Sequence, residues 1–226
     1  MKKLVVLSGA GMSAESGIRT FRDSNGLWED YDVMEVASIQ GWRKNPELIL
    51  RFYNERRKQM YECQPNKGHM LLVGLEKSFK VQIITQNVDN LHERAGSKKV
   101  LHLHGELSKA RSSVDPLLIY PIGNKEIKMG EKCEKGSQLR PFIVWFGEGV
   151  PAMEEAILMV ESADILCIIG TSLNVYPAAG LLHYASQYCP IWLIDPNPPL
   201  DLPQRVNVIA KGAGEGMAEF IGRVEN

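Results

Sequence analysis

The stretch that decides the fold is Leu4–Asp23, LVVLSGAGMSAESGIRTFRD. Its apolar start, Leu4–Leu7, predicts a buried strand, and the glycines at Gly9 and Gly11 predict a tight turn into a helix. Glycines allow the backbone to approach a ligand, and helix N-termini present N–H groups that suit a pyrophosphate. A plain strand-to-helix turn would contain the same glycines. The two arginines, the aromatic ring and the acid of Ile18–Asp23 favour a nucleotide site.

The composition is that of an ordinary globular protein. The 226 residues are 44% hydrophobic and 23% charged, which suits one sizeable α/β domain. A formal net charge of −1 gives no electrostatic reason to expect a nucleic acid or an anionic membrane as partner. No apolar run approaches the ~20 residues of a transmembrane helix, and Met1–Leu7 is too short for a signal peptide.

The cysteine pattern indicates a reduced protein. Cys63, Cys133, Cys167 and Cys189 form no C-x-x-C pair. Cys167 and Cys189 lie in apolar stretches, which is typical of inert core residues. We therefore expect a cytoplasmic protein. The protein is also expected to be a monomer.

Apolar runs alternate with helical segments along the chain. This alternation predicts a Rossmann-like, doubly wound parallel α/β sheet. The main strands are expected at Leu4–Leu7, Val81–Ile84, Ile165–Ile169 and Ile191–Ile194, and shorter ones at Val100–Leu103, Ile143–Trp145 and Val206–Ile209. The helices are expected at Pro46–Tyr61, His69–Lys77, Met153–Ser162, Ala178–Ser186 and Glu215–Val224.

Two regions interrupt this alternation within a single domain, 1–226. Residues 31–77 are predicted to form a helical insertion, and the polar segment 108–140 a small inserted module. The core then comprises about residues 1–30, 78–107 and 141–226. Ligands of such folds bind at the carboxyl ends of the strands.

Three polar clusters follow predicted strands. Thr85–Asn90 could bind a ribose or a carboxamide, or it could be an Asx-type turn that caps a helix. Leu101–Glu106 carries His102 and His104 on one face of an extended strand, although a lone histidine there is more often structural. Gly170–Ser172 could bind phosphate or ribose, and a plain turn would look the same.

Together these segments resemble the sirtuins, the NAD-dependent protein-lysine deacylases, and in particular the bacterial desuccinylase and deacetylase class. The matching motifs occur in the family's order over nearly the whole chain: GAGMSAESGIRTFRD, TQNVDNLHERAG, LHLHGEL, VWFGE and GTSLNVYPAAGL. The resemblance implies that NAD is a consumed co-substrate and that acylated proteins or peptides are the partners.

The resemblance also implies the residues that bind NAD. Asp195 stands where the family usually has an asparagine, and an acid can still accept hydrogen bonds from ribose hydroxyls. The implied set is Gly9, Ala10, Gly11, Ser13, Ala14, Gly17, Ile18, Phe21, Arg22, Trp28, Gln86, Asn87, Val88, Asp89, Gly170, Thr171, Ser172, Asp195, Pro196, Asn197 and Ala213.

By the same resemblance, His104 is the general base and acts with Gln86 and Asn87. His102 is similar in composition, but the family places its catalytic histidine directly before Gly105. The acyl oxygen of the modified lysine attacks the nicotinamide ribose, nicotinamide leaves, and His104 deprotonates the ribose hydroxyl that attacks the intermediate. Hydrolysis releases lysine and O-acyl-ADP-ribose. A neutral imidazole is suited to this deprotonation.

The acyl group is indicated by Tyr53 and Arg56. In sirtuins this pair marks enzymes that accept negatively charged acyl chains such as succinyl-lysine, and Ala37 matches a small pocket residue of that subgroup. Positions i and i+3 share a helix face, and a guanidinium binds a carboxylate with two bonds. The alternative is that Arg56 belongs to a solvated charged face, Glu55–Lys58. Deacetylation is expected as well.

The resemblance assigns the peptide groove to Val144, Trp145, Phe146, Gly147 and Glu148, where strand pairing would give affinity with little sequence choice. Most sirtuins also hold a structural zinc with four cysteines. Only Cys133 matches here, and Ser112, Asp115 and Gly136 occupy the other positions. Zinc needs four well-placed ligands, so no zinc is expected. The module would instead pack on Leu117, Leu118, Ile119 and Ile127.

Two other functions remain open from the sequence. Some sirtuin relatives transfer ADP-ribose from the same cofactor site, but a transferase has no need of the pair Tyr53 and Arg56. A non-catalytic NAD-sensing protein would not need the Gln86–Asp89 cluster or His104-Gly105.

Overall fold

The structure, a computed structural model, describes residues 1–18 and 31–225, and of the intervening segment the backbone of 27–28. The strands are β1 Lys3–Ser8, β2 Leu27–Trp28, β3 Tyr31–Asp32, β4 Lys80–Thr85, β5 Val100–His102, β6 Gly105–Ser112, β7 Ile119–Pro121, β8 Leu139–Ile143, β9 Ile165–Ile169, β10 Ile191–Ile194 and β11 Val206–Ile209. The helices are α1 Gly11–Ala14, α2 Val33–Val36, α3 Ile39–Lys44, α4 Pro46–Glu62, α5 Lys67–Leu75, α6 Leu91–Ala95, α7 Met153–Glu161 and α8 Ala213–Val224. A 3₁₀ helix spans Ala178–Tyr184.

Six strands form the main sheet in the order β11-β10-β9-β1-β4-β5, and all their pairings are parallel. The chain begins in the middle, at β1, builds one half through β4 and β5, and later builds the other half from β9 outward. The winding therefore reverses between β1 and β9. This is the strand order of a doubly wound dinucleotide-binding sheet, as the alternation predicts.

Burial explains why the central strands are apolar without interruption. The side chains of β1 alternate between two covered faces. Val5 and Leu7 pack with α7 and the 3₁₀ helix, while Leu4 and Val6 pack with α5 and α8. Parallel strands buried on both faces read as continuous hydrophobic runs, which is why the sequence located them.

Some boundaries differ from the sequence expectations. Helix α5 lies on the main sheet, because its Leu72 and Leu75 join the cluster formed by β1, β4 and β9. The helical insertion that projects from the sheet therefore consists of α2, α3 and α4. The strand expected at Ile143–Trp145 is Leu139–Ile143 and belongs to a separate antiparallel sheet of order β7-β6-β8.

The small module packs on fewer apolar residues than expected. The proposal that Leu117 and Ile119 form its core is wrong, since Leu117 is 86% exposed and Ile119 is also exposed. Ile127 is 2% exposed and packs with Leu50 of α4 and Ala110 of β6. Asn54 of α4 also bonds both the backbone N–H and the carbonyl of Ile127, each at 3.0 Å. The module is thus attached to α4.

Among the described residues, no helix combines the length and the apolar character that crossing a membrane would require.

We expect Ile127→Ala to lower the free energy of unfolding by roughly 2–4 kcal/mol, because it leaves a cavity between α4 and β6. Leu117→Ala, in the same module, should change it by less than about 0.5 kcal/mol, because the side chain is exposed. Urea denaturation followed by circular dichroism measures both. Equal effects of the two variants would contradict this account of the module.

Candidate functional site

The two glycine loops meet at the point where the winding of the sheet reverses. Gly9 N–H donates to the Ile169 carbonyl at 2.9 Å, and Gly11 N–H donates to the Gly170 carbonyl at 2.8 Å. A Cβ atom on Gly9 would lie 2.7 Å from that Gly170 oxygen. Gly170 itself has φ +64°, which favours glycine. These glycines are therefore required by the contact between the two loops, and α1 after them is a single turn.

A buried polar network lies beneath the first loop. Ser13 Oγ donates to Asp89 Oδ2 at 2.9 Å, and Asn87 Nδ2 donates to Ser13 Oγ at 3.1 Å. Asp89 also accepts the backbone N–H of Leu91 at 3.0 Å, so the Asx-type turn is present as well. Burial raises the pKa of Asp89, and the bonds from Leu91 and Ser13 oppose that rise. The network joins α1 to the loop after β4.

Gln86 connects three strand ends. Its Nε2 donates to Thr171 Oγ1 at 3.1 Å, which ties the loop after β4 to the loop after β9. Its carbonyl accepts a hydrogen bond from His104 Nδ1 at 3.0 Å. The side chains of Gln86 and His104 are thus brought to the same edge of the sheet.

The two histidines of LHLHGEL have different surroundings. His104 is held by the Gln86 carbonyl, and burial lowers its pKa despite that bond. His102 bonds Glu93 Oε1 at 2.8 Å and the Asn87 carbonyl at 3.1 Å. Burial would lower the pKa of His102, but the hydrogen bond and charge of Glu93 raise it overall. His102 therefore has the surroundings of a structural ion pair, and His104 those of a neutral base.

Gly105 allows β8 to approach His104. Its φ is +81°, and a Cβ atom there would lie 2.0 Å from the Phe142 carbonyl oxygen. The His104 carbonyl then accepts the N–H of Val144 at 2.9 Å. The segment after β8 is consequently fixed beside the histidine.

The remaining residues of the implied NAD set lie around the same edge. Asp195 follows β10, is buried, and accepts the Asn197 N–H at 2.9 Å. Ala213 begins α8, and the Glu15 carboxylate after α1 accepts the N–H of the next residue, Gly214, at 3.1 Å. Ala14 is the last residue of α1, and the loops at this edge contain Ala10, Gly17, Ile18, Val88, Ser172 and Pro196. Phe21, Arg22 and the side chain of Trp28 lie outside the described residues.

Helix α4 places Tyr53 and Arg56 one turn apart in a largely buried setting. Tyr53 is 0% exposed and shares an apolar cluster with Ala37. The Arg56 side chain is 15% exposed, its guanidinium lies 5.2 Å from the Phe52 ring centre, and Glu55 is 4.0 Å away. Arg57 is buried too and donates to the Leu107 carbonyl at 2.6 Å. The run Glu55–Lys58 is therefore not a uniformly solvated face.

The segment Val144–Glu148 joins the histidine to this cluster. Phe146 N–H donates to the Ala37 carbonyl at 2.9 Å, and the Phe146 carbonyl accepts the Ile39 N–H at 3.2 Å. Phe146 is 43% exposed, whereas Trp145 is buried and Gly147 has φ +88°. The Trp145 side chain therefore belongs to the core, whereas the Phe146 side chain is accessible to solvent.

The residues at the zinc-cysteine positions form another kind of cluster. Cys133 Sγ lies 3.5 Å from Ser112 Oγ and 3.2 Å from Ser137 Oγ, and these bonds lower the pKa of the thiol to about 7. Asp115 pairs with Lys135 at 2.6 Å. In the ranges 1–18 and 31–225, no three His, Cys, Asp or Glu side chains are grouped to hold a metal ion.

Sequence reasoning missed two buried groups. Ser8 Oγ donates to Thr85 Oγ1 and contacts His92 Nε2, both at 2.9 Å. His92 stacks on His69 with ring centres 4.9 Å apart, and burial lowers the pKa of both rings, that of His69 to about 4. The sequence signal that could have indicated this group is Ser8, a serine at the end of an apolar strand.

The second missed group surrounds Trp145. Arg140 donates two bonds of 2.8 Å to the oxygens of Glu148, and its guanidinium carbon lies 3.5 Å from the Trp145 ring centre. Glu148 also accepts the Trp145 N–H at 3.0 Å. Arg140 stands in a strand, where its burial could not be read from the sequence pattern.

Curated relatives cover nearly the whole chain. The chain is 58% identical over 226 residues to an NAD-dependent protein deacylase of Bacteroides thetaiotaomicron, with 97% of each chain covered. It is 55% identical to an NAD-dependent protein deacylase of Helicobacter pylori (strain 26695), with 99% of this chain and 98% of the relative covered.

Solved structures agree with this relationship. A Sir2 homologue in complex with NAD has a TM-score of 0.89 and 41% identity, covering 99% of this chain and 90% of that one. A Sir2 protein with a deacetylated p53 peptide and 3′-O-acetyl ADP-ribose has a TM-score of 0.82 and 30% identity, covering 98% and 93%. The Sir2 family model matches residues 9–177, well over half of the chain. The chain belongs to the Sir2 family.

Proposed function

We propose that this protein is an NAD-dependent protein-lysine deacylase that removes succinyl and acetyl groups. The acyl group passes from the lysine nitrogen to ADP-ribose, water is consumed, and nicotinamide and O-acyl-ADP-ribose are released. One observation carries the proposal: His104 lies between the Gln86 carbonyl and the segment beside Ala37. A base, a dinucleotide-type loop edge and a peptide-binding strand therefore meet at one point. The named deacylase relatives support the same reaction.

The donor set at this edge fits NAD. Ser13, Asn87 and Asp89 are buried polar groups linked to one another beneath the first glycine loop, and Asp195 is a buried acid at the end of β10. Such groups bind ribose hydroxyls, and the crevice at the winding reversal is where doubly wound sheets bind dinucleotides. When bound, NAD supplies the leaving nicotinamide and the ribose that accepts the acyl group.

The role of His104 follows from its hydrogen bond. A carbonyl oxygen can only accept, so Nδ1 of the neutral ring carries the proton and donates it to Gln86. Nε2 is then the basic nitrogen and can take a proton from a ribose hydroxyl. Because burial lowers the pKa of His104, the ring is neutral at physiological pH, as a general base must be.

Acyl selection is assigned to Ala37, Tyr53 and Arg56. Ala37 and Tyr53 belong to one apolar cluster, and Arg56 contacts the Phe52 ring of the same cluster. A side chain as small as that of Ala37 would leave room for an acyl chain. Burial raises the pKa of Tyr53, so its hydroxyl keeps its proton and can donate to a carboxylate. A guanidinium with 15% exposure is partly desolvated, which strengthens its attraction for a carboxylate. An acetyl group lacks that carboxylate and would use the same pocket less tightly.

The acylated peptide would lie along Val144–Glu148. This segment already pairs with residues on both sides, which fixes its backbone. The exposed Phe146 side chain offers an apolar contact. Backbone pairing binds many sequences, and we therefore expect broad substrate choice.

We also propose that the β6-β7-β8 module folds without zinc. The residues at the four cysteine positions do not fit the metal, because Gly136 offers no ligand side chain and Asp115 is engaged by Lys135. Hydrogen bonds among Ser112, Cys133 and Ser137 connect the segments there.

The reaction and the acyl pocket can be tested together with succinyl-lysine and acetyl-lysine versions of one peptide. His104→Ala should lower NAD-dependent turnover of both at least 100-fold, because the general base is lost. Arg56→Met should lower kcat/KM for the succinyl peptide about tenfold or more and affect the acetyl peptide much less.

Arg51→Met is the matched control, since Arg51 is an exposed arginine of the same helix. Equal losses for both peptides in Arg56→Met would refute the carboxylate role. No NAD-dependent turnover of either peptide would refute the deacylase and favour ADP-ribosyl transfer or NAD sensing.

The pH dependence of kcat/KM should report the protonation of His104. The base acts when neutral, so kcat/KM should fall as pH drops through its pKa. Since burial lowers that pKa, the acidic limb should lie below the ordinary histidine value of about 6.5. Initial rates at subsaturating peptide between pH 5 and 9 measure it. His102→Gln should leave the limb below 6.5, and a limb at or above 6.5 in the unmutated enzyme would contradict the assignment.

Metal removal should have no effect. The purified protein should contain far less than one zinc per chain by elemental analysis, and EDTA should shift Tm by less than about 1 °C. Cys133→Ser should also keep Tm within about 3 °C, because a hydroxyl can accept and donate the same bonds. Stoichiometric zinc, or a large loss of Tm with chelator, would overturn the proposal.

A further inference from the structure

We infer that Trp145 is a specificity-determining residue that acts on the acyl group through Tyr53. This inference rests on the proposed acyl pocket and deepens it. The Trp145 indole Nε1–H donates to the Tyr53 hydroxyl at 3.0 Å, and both side chains are buried. The two residues lie 92 positions apart in sequence, on the peptide segment and on α4.

The direction of this hydrogen bond is fixed by its two groups. An indole N–H can only donate, so Tyr53 must use a lone pair of its oxygen to accept it. The O–H hydrogen of Tyr53 therefore points away from Trp145. A hydroxyl that accepts a hydrogen bond also becomes a better donor, because chains of hydrogen bonds polarise one another. Trp145 thus orients and strengthens the donor that faces an acyl carboxylate.

Selectivity follows from the charge of the ligand. A succinyl carboxylate is an anionic acceptor and gains from a stronger, preoriented O–H donor, since hydrogen bonds to ions are the strong ones. An acetyl group ends in a methyl and accepts nothing from Tyr53. The contribution of Trp145 should therefore appear in the succinyl to acetyl ratio of kcat/KM.

Trp145 is held rigidly enough to play this part. The backbone N–H of Trp145 donates to the Glu148 carboxylate. Arg140 lies over the Trp145 ring and pairs with the same carboxylate. On the other side Trp145 packs on Trp42, with ring centres 5.5 Å apart. Glu148, Arg140 and Trp42 thus hold the backbone N–H and the ring of Trp145, so the indole N–H has a defined direction toward Tyr53.

The test is a double-mutant cycle on the two peptides. Trp145→Phe keeps an aromatic ring and removes the N–H, and it should lower the succinyl to acetyl ratio at least about fivefold. The double variant Tyr53→Phe/Trp145→Phe should have the same succinyl to acetyl ratio as Tyr53→Phe alone, because the hydroxyl that transmits the effect of Trp145 is absent from both. Measurable acetyl-peptide turnover reports that each variant folds.

Trp42→Phe is the matched control. It makes the same substitution in the same aromatic cluster, and the indole donor to Tyr53 stays in place. Its succinyl to acetyl ratio should stay within about twofold of the unmutated enzyme. An unchanged ratio in Trp145→Phe, effects of Trp145→Phe and Tyr53→Phe that multiply, or an equal fall in Trp42→Phe would each overturn the inference while leaving the deacylase intact. If the unmutated enzyme removes acetyl groups alone, the acyl pocket itself fails.

Discussion

The contact on which the site depends is the close approach of two backbone loops at the centre of the sheet. Gly9 and Gly11 lie against Gly170, where any side chain would collide with backbone atoms. This contact joins the two loops at the point where the winding of the sheet reverses between β1 and β9, and it fixes the ends of both strands. Gln86 then reaches Thr171 across them, and its carbonyl orients His104. The histidine that we propose as the base is thus held by contacts in the core of the fold.

Burial has opposite consequences for the ionisable groups near this centre. For His104 it disfavours the charged ring and leaves a neutral base, whereas His102 remains charged more readily because Glu93 contacts it. For Tyr53 it keeps the hydroxyl protonated, as the proposed recognition of a carboxylate requires. The same loss of solvent therefore favours the neutral form of each group. Neutral imidazole has a nitrogen lone pair that can accept a proton, whereas a neutral phenol keeps the proton that it can donate.

The sequence located those elements whose burial is uniform. Leu4–Leu7 and Ile165–Ile169 are buried on both faces, so their apolar runs are unambiguous. It placed α5 in the insertion because a helix pattern does not reveal which layer covers it. Leu117 was mistaken for core because an apolar residue in a short hairpin has no period to orient it. The hydrogen bond between Trp145 and Tyr53 joins segments 92 residues apart, so no local sequence pattern indicates it. The packing of Arg140 on the Trp145 ring is likewise visible only in the folded chain.

In the proposed enzyme the main sheet supplies the NAD-binding edge, and the helices outside the sheet supply acyl selection. Strands β1, β4 and β9 build the edge that we assign to NAD, whereas Tyr53 lies in α4 and Ala37 directly follows α2, both outside the sheet. The two parts meet at Val144–Glu148, which pairs with the His104 carbonyl on one side and with Ala37 on the other. In the proposed function an acylated peptide lies along this segment, where backbone contacts would align it with His104 and its acyl chain would extend toward α4. Because Trp145 belongs to this segment, the proposed peptide site and the proposed acyl pocket would share one support, the pair formed by Arg140 and Glu148.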